Sequence, residues 1–362
     1  MAPAEVSADG TAGDRSSTIL HTHATTSSPV DAKHKNMTQT LLESLRHEVI
    51  GHGTEFDGPF GKKTMLYADW TASGRALAPV ENYVRAEVLP MYANTHTTTS
   101  VSGLQSTCFR QEARQVIAQA CNARVGYSDK HADVVVFAGN GSTGAINKLA
   151  LVLGLHLPLP PGVPLTAQPV VLVGPHEHHS NILPWRESAA KVVHIPEGGD
   201  GGIDRAALRD ELRAHASHSL VIGSFSAASN VTGIVADVDG ITEELHRAGA
   251  LAFWDYAAAA PYLQIDMNPV RFLSDGSLNP FVYKDAVFIS PHKLPGGPGA
   301  PGVLVAKRSL FVNDVPAEPG GGTVFFVTGS DQRYLSNRQE REEGGTQDIV
   351  VGLVEWATII VP

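Results

Sequence analysis

The sequence predicts an α/β protein whose central sheet is mostly parallel and sandwiched by helices. Three observations carry that expectation. Short, almost wholly apolar runs alternate with helical stretches, the pattern of strands buried on both faces. The polar residues capable of chemistry fall just beyond those runs, where sheets of this kind collect their ligands. The bulk composition, 362 residues with 43% hydrophobic and 18% charged, is that of a globular chain long enough for a large core.

Taken in order, residues 1–38 are rich in Ser, Thr, Ala and His and are expected to form a disordered tail. An organellar leader is acid-poor and arginine-rich. Glu5, Asp9, Asp14 and the single Arg15 argue against one here. The stretch TQTLLESLRHEVIG reads as a helix with Leu41, Leu42, Leu45 and Val49 on one face, stopped by Gly51. Helical patterns follow over 80–89 and 108–121. A rhythm then sets in. Strands are expected at DVVVFAG, PVVLVGP, KVVHIP, SLVIGSFS, LAFWD, DAVFIS and GVLVAK. Helices are expected at STGAINKLALVLG, DRAALRDELRAHA and VDGITEELHRAGA. PLPPGVP reads as a loop and NDVPAEPGGG as a link into a new region.

The formal net charge of −10 argues against wholesale binding of nucleic acid or anionic membrane. No apolar run approaches the roughly 20 residues of a membrane-spanning helix. Cys108 and Cys121 lack both metal-site spacing and a disulfide framework. They are read as packing residues on a helical face, in a reducing, cytoplasmic setting.

The segment FAGNGSTGAIN runs from a strand through a glycine turn into a helix opened by Ser142 and Thr143. Free N–H groups and the helix dipole suit phosphate there, although a plain turn with a serine cap has the same look. Gly139, Gly141 and Gly144 also satisfy G-x-G-x-x-G. A dinucleotide site would want an acid at the end of the next strand, and the first acid, Glu177, lies beyond that place. In HEHHSN, His176, His178 and His179 fit a two-histidine metal grip, a flat stacking surface or a solvated loop. No cysteine or acid cluster completes a metal site, so none is expected. Asp255 ends an apolar strand, where a carboxylate needs a cationic partner. Asn230 follows SLVIGSF similarly, and Lys293 follows DAVFIS before a glycine-rich loop. Ser142, His178, Asn230, Asp255 and Lys293 therefore converge at the carboxyl ends of strands. A phosphate cradle, a stacking ring, a buried acid and a lysine together suit pyridoxal 5'-phosphate. The lysine would form a Schiff base with its aldehyde, and the acid would keep its pyridine nitrogen protonated.

With these residues placed, the chain resembles the class V aminotransferase family of fold-type I pyridoxal-phosphate enzymes, which includes cysteine desulfurases and selenocysteine lyases. The resemblance runs from about Tyr67 to Ile349. It rests in order on YADWTASG, NGSTGAIN, EHHSNILPW, SNVTG, WDYAAAAP, SPHK and REEGGTQDI. It implies a large cofactor-binding domain over 39–315 with an N-terminal helical segment. It also implies a linker and only the start of a small C-terminal domain over 316–362. It implies Lys293 as the aldimine lysine, Asp255 on the pyridine nitrogen and His178 stacked on the ring, these three being the catalytic set. Ser142, Thr143, Ser290 and His292 would hold the phosphate. Asn230 would lie near the ring hydroxyl or the substrate carboxylate. Thr346 would reach the phosphate of a partner subunit, making a homodimer. Asn94 and His96 would line the substrate side.

Departures accompany the likeness. Ala258 stands where the family often has a glutamine, the stretch between Asp255 and Lys293 is longer than usual, and neither cysteine lies in the region of the desulfurase nucleophile. The expected function is a cysteine-desulfurase-like transferase or lyase acting on an amino acid. The alternative is a truncated, catalytically silent relative that binds or dimerises. A nicotinamide dehydrogenase is disfavoured by the missing acid.

Overall fold

The computed structural model describes residues 42–95, 97–126 and 132–346. Residues 42–46 are helical and belong to a unit separate from the body that begins at His47. In that body, strands β3 (Asp133–Phe137), β4 (Val170–Val173), β5 (Lys191–His194), β6 (Val221–Ser226), β7 (Leu251–Asp255), β8 (Ala286–Ile289) and β9 (Val303–Lys307) form one seven-stranded sheet. Its order is β3-β9-β8-β7-β6-β4-β5. Only β9 runs against its neighbours; every other pair is parallel. The mostly parallel sheet expected from the sequence is therefore present, with one reversed strand inside it.

Why these runs make central strands is visible in their side chains. Successive residues of a strand face opposite ways, and here both faces are covered. Val135, Leu172, Phe225, Trp254 and Val287 face one buried cluster; Val136, Val171, Ile222, Phe253 and Phe288 face the other. The first cluster is covered by α2 (Val101–Ala120), α5 (Arg205–Ala214) and α6 (Val238–Arg247). The second lies under α3 (Gly141–Val152) and α4 (Leu183–Arg186), through Ala145, Ile146, Leu149 and Trp185. Each large side chain buried this way contributes about 1.5–3 kcal/mol.

Several details differ from the expectations. α1 (Ala78–Tyr83) passes into a π-helical stretch over Val84–Val88. α2 begins seven residues before Cys108, because Ser100 accepts the Gly103 N–H at 3.1 Å and caps the helix there. Cys121 is buried at its C-terminal end, but Cys108 is exposed, which corrects the reading of both as packing residues. Two small antiparallel hairpins were not foreseen. They are β1 (Glu55–Gly58) with β2 (Gly61–Thr64), and β10 (Val324–Val327) with β11 (Gln332–Tyr334). Their strands are largely exposed on both faces, so they carry no alternation to read. The closing helix, α7 (Arg338–Arg341), is capped by Asn337. The apolar run near the C-terminus lies outside the described residues.

Candidate active site

Beyond β3 the chain must turn sharply into α3, and glycines make that turn. Gly139 and Gly141 have φ of +47° and +58°, a region that side chains with a Cβ avoid. A Cβ on Gly141 would stand 2.9 Å from both Ser290 Oγ and His292 Cε1. The turn thus lies directly on the loop that follows β8. The Ser142 N–H donates to Ser290 Oγ at 2.8 Å. One residue further on, Thr143 Oγ1 donates to Ser180 Oγ at 2.6 Å. His178 caps the same short 3-10 turn, its Nδ1 accepting the Ser180 N–H at 3.2 Å. Three loops from three strands are joined in this way at one end of the sheet.

Asp255 is the last residue of β7 and is 3% exposed. Burial pushes its carboxyl up to about 6. The Ala257 N–H, donating to Oδ1 at 2.9 Å, opposes that rise, as do the Lys293 charge and the Ser142 hydroxyl. Lys293 sits in a 3-10 turn, Pro291–Lys293, after the neighbouring strand β8. Burial lowers its pKa, resisted by the charges of Asp255 and then Asp69. His178 is lowered by burial and by Lys293 and His179. His292 is lowered by burial and by Lys293. Both rings are therefore neutral near pH 7.

Ser142, Thr143, His178, Asp255, Ser290, His292 and Lys293 thus stand at one end of the sheet. Asn230 lies exposed on the turn after β6, where the Ser229 hydroxyl accepts the N–H groups of Val231 and Thr232. Thr346 and Asn94 meet one another, with Thr346 Oγ1 donating to Asn94 Oδ1 at 3.4 Å. His96 lies outside the described residues. His176 turns away to the Gly201 carbonyl at 2.6 Å. Among the described residues no group of three His, Cys, Asp or Glu side chains is placed to hold a metal.

Three acids escaped the sequence reading. Asp69 belongs to the YADWTASG segment. That segment is laid on the lysine loop by the Gly74 N–H donating to the His292 carbonyl at 2.8 Å and the Gly296 N–H to the Arg75 carbonyl at 2.7 Å. Glu177, which stands beyond the place of a ribose-binding acid, is half-buried against β6. Burial pushes it up to about 7; hydrogen bonds from Asn181 and Ser226 oppose this, and Asp255 adds to it. Glu343 is 2% exposed and accepts from Arg110 and Arg114, each at 2.6 Å, and from the Phe137 N–H at 2.8 Å. Burial works against its charge, but the two guanidiniums outweigh burial and hold the carboxyl below its usual range. The 341–346 segment is thereby clamped to the end of β3. The signal for Glu343 was its place in the arginine-x-glutamate-x-glycine-threonine pattern.

A parallel sheet with a lysine and a buried aspartate on adjacent strand ends, facing a glycine turn at a helix start, is the architecture of fold-type I pyridoxal-phosphate enzymes. The chain belongs to the aminotransferase class-V family, whose profile matches residues 66–359. It is 29% identical over 309 residues to a probable cysteine desulfurase of Aeropyrum pernix, covering 83% of this chain and 67% of that protein. It is 28% identical over 299 residues to one from Staphylococcus epidermidis, covering 81% and 65%. The chain spans about two thirds of the length of these curated relatives. Among solved structures it superimposes on the apo cysteine desulfurase of Thermococcus onnurineus with a TM-score of 0.67 and 22% identity, covering 88% of this chain and 69% of that one. On the Escherichia coli cysteine desulfurase CsdA the TM-score is 0.60 with 24% identity, covering 80% and 66%.

Proposed function

We propose that the chain is a pyridoxal-phosphate-dependent enzyme of cysteine-desulfurase type that acts on an amino acid through Lys293. The observation that carries this reading is the pairing of Asp255, buried at the end of β7, with Lys293 beyond the adjacent β8, each within reach of the other's charge. The residues fit the cofactor. A carboxylate this buried needs a cationic partner, which a protonated pyridine nitrogen would provide. The space left by the absent Cβ of Gly141 lies beside Ser290 and His292, where a phosphate would be held.

Lys293 would hold the aldehyde, Asp255 the ring nitrogen and His178 the ring face. Ser142, Thr143, Ser290 and His292 would hold the phosphate. Asn230 would serve the ring hydroxyl or the substrate carboxylate, since Ala258 offers no hydrogen bond. When bound, the cofactor supplies an electron sink for charge at the substrate's α-carbon. Lys293 would move the α-proton, and burial favours its neutral form by lowering its pKa. Asp255 would keep the ring nitrogen protonated, and His178, its pKa lowered, would cover the ring without adding a competing positive charge. Asn94 with Thr346, joined to each other, would serve the substrate side and a partner subunit's phosphate in a homodimer.

Purified chain incubated with pyridoxal phosphate is expected to show near-visible absorption that Lys293→Ala abolishes. Release of sulfide from cysteine, within a panel of amino acids, tests the substrate class. Absorption that is the same with and without Lys293 overturns the cofactor assignment. Turnover of other amino acids without cysteine overturns the desulfurase assignment alone. Sedimentation at micromolar concentration tests the dimer.

A further inference from the structure

Glu177 and His178 are consecutive residues with different surroundings. His178 is exposed, within reach of the Lys293 charge; Glu177 goes inward against β6. There its Oε1 accepts the Ser226 N–H at 2.9 Å, and its Oε2 accepts the Ser226 hydroxyl at 2.7 Å and Asn181 Nδ2 at 2.6 Å. Asn181 is completely buried and its amide has only one workable orientation. Its Oδ1 accepts the Trp185 indole N–H at 3.2 Å and the Ser224 hydroxyl at 2.6 Å. An indole N–H can only donate, so Oδ1 must face it and the amide NH2 must face Glu177. The polarity of the whole chain of bonds is thereby set from Trp185 outward, and residue 177 is required to accept at both oxygens. Ser226, the residue it grips, is the direct sheet neighbour of Asp255.

We infer that Glu177 is a positioning residue: with Asn181 it pins both ends of the 177–181 turn to β6 and so fixes the His178 ring over the cofactor that Lys293 carries. The inference rests on the proposed cofactor reading. Within the turn His178 is tied to Ser180 through Nδ1 and to the Asn181 N–H through its carbonyl, and Ser180 in turn accepts from the Thr143 hydroxyl; the bonds of Glu177 and Asn181 are the ones that reach β6. A carboxamide at 177 fails at either oxygen. An NH2 group at the Oε1 position meets the Ser226 N–H, and one at the Oε2 position meets the Asn181 NH2. Exchanging the two side-chain types repairs every pairing. In Glu177→Gln with Asn181→Asp, the new aspartate still accepts from Trp185 and Ser224. Its second oxygen accepts from the glutamine NH2. The glutamine oxygen accepts the Ser226 N–H, and the Ser226 hydroxyl reverses to accept.

The test compares wild type, Glu177→Gln and the Glu177→Gln/Asn181→Asp double variant by pyridoxal-phosphate affinity, by circular dichroism of the bound cofactor's near-visible band, and by melting temperature of the cofactor-free chain. Expected are an affinity about tenfold weaker and a reduced dichroic band in the single variant, since a buried donor is left facing a donor. In the double variant both recover to within about threefold of wild type. A single variant that melts lower yet binds with unchanged affinity and dichroism gives Glu177 a purely structural role and overturns the inference. So does a double variant no better than the single. If the single variant does not fold, the double variant against wild type decides by the same two readouts. Wild-type chain that takes up no cofactor overturns the cofactor reading itself, and this inference with it.

Discussion

Replacing Glu343 with glutamine removes a negative charge that the fold is built to hold. Its carboxylate receives two guanidinium hydrogen bonds, from side chains only 11% and 5% exposed, and the N–H of Phe137. Breaking a buried, hydrogen-bonded ion pair by neutralising one partner costs about 3–5 kcal/mol. Glutamine retains one acceptor, which places the expected loss near the lower bound, about 3 kcal/mol. In a chain of this size that corresponds to a fall in melting temperature of roughly 4 °C. The pH dependence has a definite sign. The folded carboxyl titrates below its ordinary value, so its stabilisation is complete above about pH 4.5 and is lost as pH falls through the lower folded value. Guanidinium-chloride unfolding of both proteins from pH 7 to pH 3 reads this directly. The gap between them should be largest at neutral pH and close towards pH 3. A gap below about 1 kcal/mol at pH 7, or one that stays constant to pH 3, would refute the claim that the 341–346 segment is held by this charge cluster.

Other outcomes follow from the same geometry. Asp255→Asn should keep Lys293 reactive towards pyridoxal phosphate but lower turnover by on the order of 10²–10⁴, measured as kcat at saturating substrate. Gly141→Ala forces a Cβ against Ser290 and His292 at a backbone angle that alanine resists. It should cost about 1–3 kcal/mol in urea unfolding and weaken cofactor binding. Asp255 and Glu177 are both raised above their unfolded values, to about 6 and about 7. Their contribution is present below the unfolded pKa and is lost as pH rises through the folded ones. The cofactor-free chain should therefore lose part of its stability between about pH 4 and pH 7, less so in Asp255→Asn. Exposed Cys108 should react with a thiol reagent in the native state. Buried Cys121, whose thiol is pushed up to about 12 chiefly by burial, should react only on unfolding.

The central strands were legible because burial on both faces leaves nearly continuous apolar runs, as in Val134–Phe137 and Val170–Val173. Most of the candidate site was legible for a related reason. A lysine, an aspartate and a serine immediately after such runs share one end of a parallel sheet. Exposed hairpins were not legible, since no face of β1, β2, β10 or β11 is consistently buried. The start of α2 was missed because its first turn is set by the Ser100 cap rather than by apolar spacing. The reversal of β9 has no trace in its sequence, which reads like any other buried strand. Glu177 and Glu343 could not be read as anchors because the strand residues they hold, Ser226 and Phe137, lie 49 and 206 positions away in the chain.

The reversed strand has a geometric consequence. Because β9 is wedged between β3 and β8, the strand that feeds the serine-threonine helix and the strand that feeds the lysine stand two sheet spacings apart, about 9.5 Å. The wedge begins with Gly302, whose missing side chain would otherwise press within 1.9 Å of the Gly141 carbonyl. β9 therefore acts as a spacer with a trimmed tip. It sets how far apart the two rims stand and leaves backbone, not bulk, on the floor between them.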